Sequence, residues 1–475
     1  MGSPSYTQNW ISNKVNALSM ECDEVNSYPD LQGRWLLISH VLRAKVTHLY
    51  RTLSLEDGFL VGNHHDRLML QAMQNMIGHN VDDKIMEQLR LPISEGGFGI
   101  PYLRECITAA RLASTITYCR YLESDDICRC LVRATPADIL ASVMRELRHE
   151  DIQCASDSIL YQQAEEVLKL PNEGSGLQKL IYGQLVHSQV EKFTSSDTSI
   201  SQAESKRRAS VSHKESGAFL FAFPHGETYM QPRVFQTACQ YRLGLPVTAL
   251  GDTAGMRCIC RGNKVIDPYG YHFNSCKVGE EIHTRHNEIV RTLHTLILQA
   301  GIKAKKEPRG CFAASTDQAI RPDIRMYQPG SLAGIRNNMQ DIVVDVRITD
   351  PLCSSNINGD SIRRSEQDKY RMYQQHSYVA NLHLVPVVME CFGKFSELTS
   401  SLVKALVKRV YQRNPDHMPE CRLIHYWTKR FSCVLQRCQA ELVLSRYDRV
   451  QMRHSGNEYC VDECMVSSVV SDVAV

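Results

Sequence analysis

The chain of 475 residues is long enough to bury more than one hydrophobic core, so we expect two or three domains. Its composition, 43% hydrophobic and 22% charged, is that of a folded globular protein, and a formal net charge of +2 excludes a protein that is basic throughout. No apolar run reaches the roughly 18 residues that cross a bilayer, and the N-terminus lacks the apolar core of a secretory signal. We therefore expect an intracellular protein in which most of the 18 cysteines are buried, reduced thiols.

The first 193 residues repeat apolar side chains at three- and four-residue spacing, which predicts helices. We expect one helix from 31 to 54 and another from His64 to Leu89, followed by a glycine-rich turn at 91–101. Further along, Thr135-Pro136-Ala137-Asp138 combines a capping residue, a proline at the first helical position and an acid in the first turn, which predicts a helix start. This part of the chain therefore reads as all-helical.

Between 194 and 217 polar and charged residues dominate, which predicts a flexible linker. Order returns with a helix from Pro232 to Leu243, which Gly244 is placed to terminate. Further on, Leu382 to Met389 reads as a short buried strand.

Three cysteines and one histidine follow at close spacing. One residue separates Cys258 from Cys260, three separate His272 from Cys276, and eleven lie between the two pairs. Three thiolates and one imidazole suit tetrahedral Zn²⁺, and all four positions are filled by protein. The run from Asp267 to Gly270 predicts a turn that brings the two pairs together. We predict a structural zinc site, with unligated thiols in a loop as the alternative.

Two aspartates accompany the predicted strands that follow. Asp323 precedes a strand at 324–327, and Asp345 lies in the middle of an apolar strand at 342–348. A carboxylate within a strand suited to burial is costly unless it is paired or bound to a metal. Carboxylate oxygens are the ligands that Mg²⁺ prefers, and paired acids can hold ions that activate water for phosphodiester hydrolysis. With Glu307 nearby, the pattern predicts a divalent-cation site, and a structural salt bridge is the alternative.

As an ordered series, these residues resemble the C-terminal part of proteins encoded by non-LTR retrotransposons that carry a restriction-like endonuclease. In that family a thumb-like helical region, a Cys-Cys-His-Cys knuckle and a PD-(D/E)XK nuclease follow the polymerase. The matching pieces are Leu91-Pro-Ile-Ser-Glu-Gly-Gly-Phe-Gly-Ile100, Cys258, Cys260, His272 and Cys276, Arg285-His286-Asn287, Glu307-Pro308, Arg321-Pro322-Asp323, Asp345 and Lys369-Tyr370.

The resemblance implies that Asp323 and Asp345 hold catalytic Mg²⁺ or Mn²⁺, with Glu307 as an auxiliary acid. At position 347, where the general nuclease motif has a lysine, the chain has Arg347, and arginine cannot act as a base. In this branch the lysine comes from a later helix, so the resemblance assigns the orientation of the attacking water, or neutralisation of developing charge, to Lys369.

The resemblance also implies that DNA is bound by basic side chains, namely Arg285, His286, Lys305, Lys306 and Arg321. The partner would be target DNA, nicked to expose a 3′ end that primes reverse transcription, with the element's RNA as a second candidate partner. We expect a nuclear location and no membrane association. Because a Tyr-x-Asp-Asp motif is missing, the chain should not itself be a reverse transcriptase, and it looks like the post-polymerase part of a longer protein.

We therefore predict an α+β multidomain protein with an N-terminal all-helical region, a small zinc knuckle and a PD-(D/E)XK restriction-endonuclease-like α/β core. Its predicted divisions are a thumb-like helical region at 1–193, a polar linker at 194–217, a helical connector at 218–255, the zinc knuckle at 256–278, the nuclease core at 279–395 and a C-terminal helical region at 396–475. The predicted function is metal-dependent nicking of DNA. A catalytically inactive, zinc-stabilised nucleic-acid-binding remnant is the main alternative, and a helical scaffold without a nucleic-acid role is a third.

Overall fold

A computed structural model describes residues 4–124, 132, 134–150, 159–170, 176–194, 200–253, 255–309, 311, 321–330, 332, 340–379, 382–416 and 418–454. The chain divides into two compact units, Met1–Ser201 with Val211–Pro224, and Gln202–Ser210 with His225–Val475. The described residues are mostly helical and include one four-stranded sheet, so the predicted α+β class is confirmed at that level.

The first unit is helical throughout its described part, as predicted. Its α-helices are α1 (Pro4–Ser27), α2 (Leu31–His40), α3 (Leu55–Ile77), α4 (Asp83–Arg90), α5 (Leu103–Ser124), α6 (Pro136–Glu150), α7 (Ala164–Leu168), α8 (Leu177–Leu185) and α9 (His187–Thr194). Short 3₁₀ helices lie at Leu42–Ala44, Leu49–Arg51, Ile93–Glu95, Ile159–Tyr161 and Ala218–Phe221. Helix α5 packs against both α6 and α8, and their apolar faces form much of the core of this unit.

Local hydrogen bonds decide where the predicted helices of this unit begin and end. The helix predicted from 31 to 54 ends at His40, and the chain continues in 3₁₀ turns. Beyond this end the Leu42 carbonyl lies 2.9 Å from His65 Nε2. The predicted cap of α6 is confirmed: the Asp138 main-chain N–H donates to Thr135 Oγ1 over 3.1 Å, and that hydroxyl donates to the Asp138 carboxylate.

The flexible linker predicted from 194 to 217 is wrong in its described part, whereas 195–199 lie outside the described residues. Gln202–Val211 is a helix, α10. Arg207 is buried there and its guanidinium donates to Glu204 over 2.7 Å. Charged residues thus satisfy one another inside the fold, and a composition poor in apolar residues misleads the prediction.

The second unit holds the sheet and the remaining helices. Its α-helices after α10 are α11 (Pro232–Leu243), α12 (Glu281–Gln299), α13 (Ser361–Val379), α14 (Glu397–Arg413) and α15 (Glu420–His454), with 3₁₀ helices at Gly226–Thr228, Thr248–Thr253 and Tyr271–Asn274. The strands are β1 (Ala304–Lys306), β2 (Ile324–Met326), β3 (Asp341–Thr349) and β4 (Leu382–Glu390). Helix α11 ends as predicted, with Gly244 in the left-handed region at φ 67°.

The sheet has the order β1-β2-β3-β4, antiparallel between β1, β2 and β3 and parallel between β3 and β4. Helix α13 connects the two parallel strands, as a parallel crossover requires. Because side chains alternate along a strand, β3 directs Val344 and Val346 into a core shared with α12, α14 and α15. Its opposite face carries Val343, which packs with Tyr373 of α13.

One further prediction is modified by this arrangement. The helical region predicted at 396–475 is not separate, because Leu402 of α14 and Trp427 of α15 lie in the same core as the sheet; 455–475 lie outside the described residues. The described cysteines are free thiols. Among the described helices, none combines the length and apolar character needed to span a bilayer.

Candidate functional site

The first candidate site is the predicted group of metal ligands. The ligand atoms of Cys258, Cys260, His272 and Cys276 all lie within 4.8 Å of one another. The sulfurs of Cys258 and Cys276 are 3.8 Å apart, and Cys260 Sγ is 3.6 Å from His272 Nε2. Zinc ligands stand about 2.0 to 2.3 Å from the ion, so tetrahedral neighbours lie roughly 3.3 to 3.8 Å apart. The group can therefore bind a metal ion such as zinc.

Asp267 organises the turn that presents His272. Its Oδ1 accepts hydrogen bonds of 3.0 Å from the main-chain N–H groups of Tyr269 and Tyr271, and its Oδ2 accepts one of 2.9 Å from His272. Gly270 adopts φ 71°, a conformation that a side chain would strain. The turn predicted from Asp267 to Gly270 is thus present, and it carries His272 towards the cysteines.

The first two thiols lie on a second turn and differ in acidity. The main-chain N–H of Cys258 donates to the Lys264 carbonyl over 2.8 Å, and Asn263 closes the turn onto the Cys260 carbonyl. Burial raises the pKa of Cys258 to about 12. Burial acts in the same direction on Cys260, but N–H donation from Lys264 helps to hold its pKa below the usual range. Because a thiolate is the ligand, metal binding here must release protons.

The second candidate site forms where β2 and β3 pair. The antiparallel register matches Ile324 with Val344, so Asp323 and Asp345 are the next opposed positions. The Asp323 main-chain N–H donates to the Val344 carbonyl over 3.1 Å, and the two carboxyl groups lie within hydrogen-bonding reach of each other. Asp345 is only 4% exposed. Two residues that are distant in the sequence thus form one partly buried acidic pair.

Asp323 is held from two sides. Its Oδ1 lies 2.9 Å from Nε2 of His286 on α12, and its Oδ2 accepts a 2.6 Å hydrogen bond from the Val346 main-chain N–H. Burial would raise the pKa of Asp323, but the hydrogen bond and charge of His286 outweigh it and hold the pKa below its usual range. His286 therefore contacts a carboxylate, whereas the resemblance assigned it to a phosphate.

Asp345 is held from α13. Lys369 Nζ lies 2.7 Å from Asp345 Oδ1, and the buried Tyr373 side chain interacts electrostatically with this carboxyl group. Burial raises the pKa of Asp345; the Lys369 ammonium lowers it in part, and the nearby Asp323 charge raises it. The pKa values of the two acids are thus driven in opposite directions, which is the usual outcome when like charges share one site. We call Asp323, Asp345, Lys369, His286 and Tyr373 the carboxylate cluster.

Glu307 lies close to the carboxylate cluster through its backbone but not through its carboxylate. Its main-chain N–H donates to the Asp323 carbonyl over 2.7 Å, at φ 43°. The side chain is 55% exposed and forms an ion pair with Arg321, which is itself 42% exposed. In this conformation Arg321 binds Glu307, so both the auxiliary acid and this predicted DNA-binding arginine are engaged with each other.

The prediction that Arg285 contacts phosphate is wrong for this conformation. Arg285 is 3% exposed, and its guanidinium donates to the Gln439 side-chain oxygen on α15. The side chain faces the interior because helical periodicity places it on the apolar face of α12, whereas the next residue, His286, reaches the sheet edge.

The remaining basic residues lie on exposed positions around the sheet. Lys305 and Lys306 are exposed on β1. Arg347 projects from the same face of β3 as Asp345, and its guanidinium lies 3.4 Å from Asp368. The amine closest to the acidic pair is therefore that of Lys369 on α13 and not a side chain of β3.

Sequence reasoning missed two members of this arrangement. Tyr373 was not singled out, although its position four residues after Lys369 on a helix places both side chains on one face. The main-chain donor of Val346 could not be read from the sequence, since only the strand register brings it to Asp323.

Comparison with known proteins does not extend this description. No protein-family model matches the chain, and curated proteins give no significant match. Function must therefore be inferred from the side chains that the fold brings together.

Proposed function

We propose that the second unit is a divalent-metal-dependent DNA endonuclease of the kind found in non-LTR retrotransposon proteins. The observation that carries the proposal is the convergence of Asp323, Asp345 and Lys369 from β2, β3 and α13, elements separated in the sequence. Metal-assisted phosphodiester hydrolysis requires acids that hold the cation, and an amine beside them can stabilise developing negative charge.

The donor atoms fit a hard divalent cation. The carboxylates of Asp323 and Asp345 are adjacent, and each keeps oxygen lone pairs beyond those used by its partners, so both can hold Mg²⁺ or Mn²⁺. A cation bound there would activate water and stabilise negative charge on the phosphate. The two carboxyl groups differ in how readily they ionise. Contacts that include His286 hold the pKa of Asp323 low despite its burial, whereas burial raises the pKa of Asp345.

The other members of the carboxylate cluster would position charge and exclude water. Lys369 brings a partly buried ammonium to Asp345, from where it can orient an attacking water or neutralise charge that develops on the phosphate. Tyr373 is fully buried and would keep water away from the Asp345 carboxyl, with which it interacts. His286 fixes the orientation of Asp323, as carboxylates that bind metals commonly require.

Exposed basic residues around the sheet provide an electrostatic surface for DNA. Lys305 and Lys306 of β1 are the members predicted from the sequence, and Arg371 of α13 adds an exposed cation near Lys369. Binding through such contacts should weaken as salt rises. The proposal includes target DNA as partner, the element's RNA as a second partner, a nuclear location, and a closed structural zinc in the group of Cys258, Cys260, His272 and Cys276.

The test is nicking of supercoiled plasmid by purified protein with Mg²⁺ or Mn²⁺. We expect nicking by the wild type and a loss of about a thousandfold in Asp323→Ala and Asp345→Ala, equivalent to about 4 kcal/mol of barrier. Asp341→Asn is the matched control, because Asp341 lies on the same strand and pairs with Arg325 at 2.6 Å outside the cluster. Equal nicking by all four proteins would rule out these carboxylates.

One observation favours the second candidate function, an inactive nucleic-acid-binding remnant. Glu307 is paired with Arg321 and Asp345 with Lys369, so these charges are already balanced by protein groups. Folded, zinc-loaded protein that binds DNA in a salt-dependent manner but nicks none with either cation would support the remnant over the nuclease.

A further inference from the structure

A buried asparagine lies between two ligands of the candidate zinc site and contacts the rest of the second unit. Asn274 is 3% exposed and falls between His272 and Cys276 in the sequence. Its Oδ1 accepts hydrogen bonds from the Tyr241 hydroxyl, at 2.6 Å, and from Gln439 Nε2, at 2.7 Å. Its side-chain amide donates to Asp350 Oδ1 over 3.4 Å. Asn274 therefore uses both ends of its side chain inside the protein.

Both routes from Asn274 lead towards the carboxylate cluster. Gln439 accepts a hydrogen bond from Arg285, the residue before His286 on α12. Asp350 directly follows β3, the strand that carries Asp345, and its carboxylate also interacts electrostatically with Arg285. The segment between two zinc ligands is thus linked to the helix that orients one acid of the pair and to the strand that bears the other.

A second connection runs in parallel through α15. Arg446 is 2% exposed; its Nη1 donates to the Cys276 carbonyl over 2.8 Å and its Nε to Glu281 over 3.1 Å. Glu281 is the first residue of α12. A zinc ligand is therefore fixed by hydrogen bonds to the beginning of the helix that carries His286.

Buried polar links of this kind transmit position because they tolerate little displacement. A buried donor or acceptor that loses its partner is penalised, more strongly when one group is charged like Arg285. A metal that ties His272 to Cys276 would restrict movement of the loop from Tyr271 to Cys276. A shift of that loop would break the contacts of Asn274 with Tyr241, Gln439 and Asp350 and so disturb α12 close to His286.

We infer that Asn274 is a positioning residue through which metal occupancy at Cys258, Cys260, His272 and Cys276 sets the geometry of the carboxylate cluster. Zinc at the first site therefore raises the affinity of the second site for a divalent cation. The part that concerns cation affinity rests on the proposed function; the positioning of His286 does not.

The positioning is tested by histidine-selective ¹⁵N NMR of the full chain, with the His286 ring signals assigned by their loss in His286→Gln. In zinc-loaded wild type we expect a slowly exchanging ring N–H of His286, from its hydrogen bond to Asp323. Zinc-loaded Asn274→Ala, and wild type stripped of zinc, should both lose that protection, whereas His40 in the first unit stays unchanged. Unaltered His286 signals in Asn274→Ala that holds one zinc would overturn the inference.

Gln439→Met is a second variant in case Asn274→Ala does not fold. It removes the hydrogen bonds that join Asn274 to Arg285 and keeps a side chain of similar shape. It should also weaken the His286 signal. Tyr241→Phe is the comparison variant: it removes a hydrogen bond to the same Asn274 oxygen but leaves the Gln439 and Asp350 contacts in place, so the His286 signal should change less than in Gln439→Met. A larger effect from Tyr241→Phe than from Gln439→Met would contradict the proposed route.

Cation affinity separates this inference from the proposed function. Mn²⁺ binding, followed by electron paramagnetic resonance, should be about tenfold weaker in zinc-loaded Asn274→Ala than in zinc-loaded wild type. Thermodynamic linkage makes the effect reciprocal. If zinc raises the Mn²⁺ affinity of the wild type by a given factor, Mn²⁺ must raise its zinc affinity by the same factor. Wild type that binds no Mn²⁺ would sink the nuclease proposal and the affinity claim, while the NMR experiment would still decide the positioning role. Equal Mn²⁺ affinity in both proteins would refute the coupling alone.

Discussion

The two candidate sites of the second unit are built in opposite ways. The metal knuckle, Cys258 to Cys276, gathers its ligands from one short stretch of chain, and two turns bring them together. The carboxylate cluster collects its members from α12, β2, β3 and α13, between His286 and Tyr373, and strand register brings them together. A local site can be recognised from the spacing of its ligands in the sequence. A site assembled from distant elements is recognised from a charged residue in an apolar segment, because burial of that charge requires a partner.

The sites also differ in what holds them when no ion is bound. The thiols of the knuckle contact mainly one another, so an ion is their natural partner. The acids of the carboxylate cluster already have partners in Lys369, His286 and the Val346 N–H. Changes in the knuckle should therefore act first on stability and, through Asn274, on the cluster, whereas changes in the cluster should act on activity.

The largest expected effect is the loss of the knuckle's metal. Cys260→Ser should release zinc and lower the free energy of unfolding of the second unit by more than about 4 kcal/mol, since binding and folding are linked at structural zinc sites. Zinc content and urea denaturation followed by circular dichroism measure this. Cys421→Ser removes an exposed thiol and should change neither quantity. If both variants unfold alike, the knuckle does not stabilise the fold.

The next largest effect is expected in the carboxylate cluster. Lys369→Met removes the ammonium that faces Asp345 but keeps most of the apolar stem, so nicking should fall by about a hundredfold to a thousandfold. The buried Asp345 also loses its counter-charge, so the melting temperature should fall, and circular dichroism at the assay temperature establishes that the variant is folded. Lys404→Met is the matched control, because Lys404 is an exposed lysine of α14 that contributes to neither the cluster nor the proposed DNA surface. Retained nicking in Lys369→Met would remove the lysine from the catalytic group.

A moderate, pH-dependent effect is expected where the two regions join. Glu281 accepts hydrogen bonds from Ser445, at 2.9 Å, and Arg446, at 3.1 Å. Burial would raise its pKa, but these contacts and Arg449 lower it below the ordinary 4.5. A depressed folded pKa supplies stability that is present above the unfolded value and lost as pH falls through the folded one. Glu281→Gln should therefore cost about 2 kcal/mol at neutral pH and progressively less in acid.

Thermal melting of wild type and Glu281→Gln, repeated between neutral and acidic pH, measures how the stability difference between the two proteins shrinks as the pH falls. The neighbouring Glu280, which is exposed, provides the control variant Glu280→Gln, and that variant should follow the wild type at every pH. A gap between wild type and Glu281→Gln that widens in acid would show that the sign is wrong.

The smallest effect is predicted for Glu307. Its carboxylate is exposed and paired with Arg321, so Glu307→Gln should alter nicking by no more than about threefold. Plasmid nicking under single-turnover conditions distinguishes this from a metal ligand. A loss of a hundredfold would mean that Arg321 releases Glu307 when DNA binds and that the resemblance assigned its role correctly.

Several features were predictable because their signals are local. The cap of α6, the end of α11 at Gly244, the apolar strands and the metal-ligand spacing all depend on neighbours within a few residues. The buried Asp345 was predictable too, because a charge within an apolar strand demands a partner. Its nearest partner, Lys369, came from the family resemblance rather than from the strand pattern.

Other features depend on tertiary contacts that no short window contains. Helix α10 was read as a linker because Glu204 and Arg207 replace apolar contacts with a buried ion pair. The family resemblance assigns Arg285 to DNA, although its helical position directs it inward to Gln439. The orientation of charged side chains, rather than the identity of the elements, is what the sequence did not supply.

The length of α15 has a consequence for how the protein is made. This helix supplies Trp427 and Phe431 to the core beneath the sheet, and farther along it supplies Leu442 and Val443 to the core beneath the knuckle. Both cores thus remain incomplete until α15 has left the ribosome. Nascent chains stalled before Glu420 should expose two apolar surfaces and depend on chaperones, and a premature stop there should yield aggregated protein.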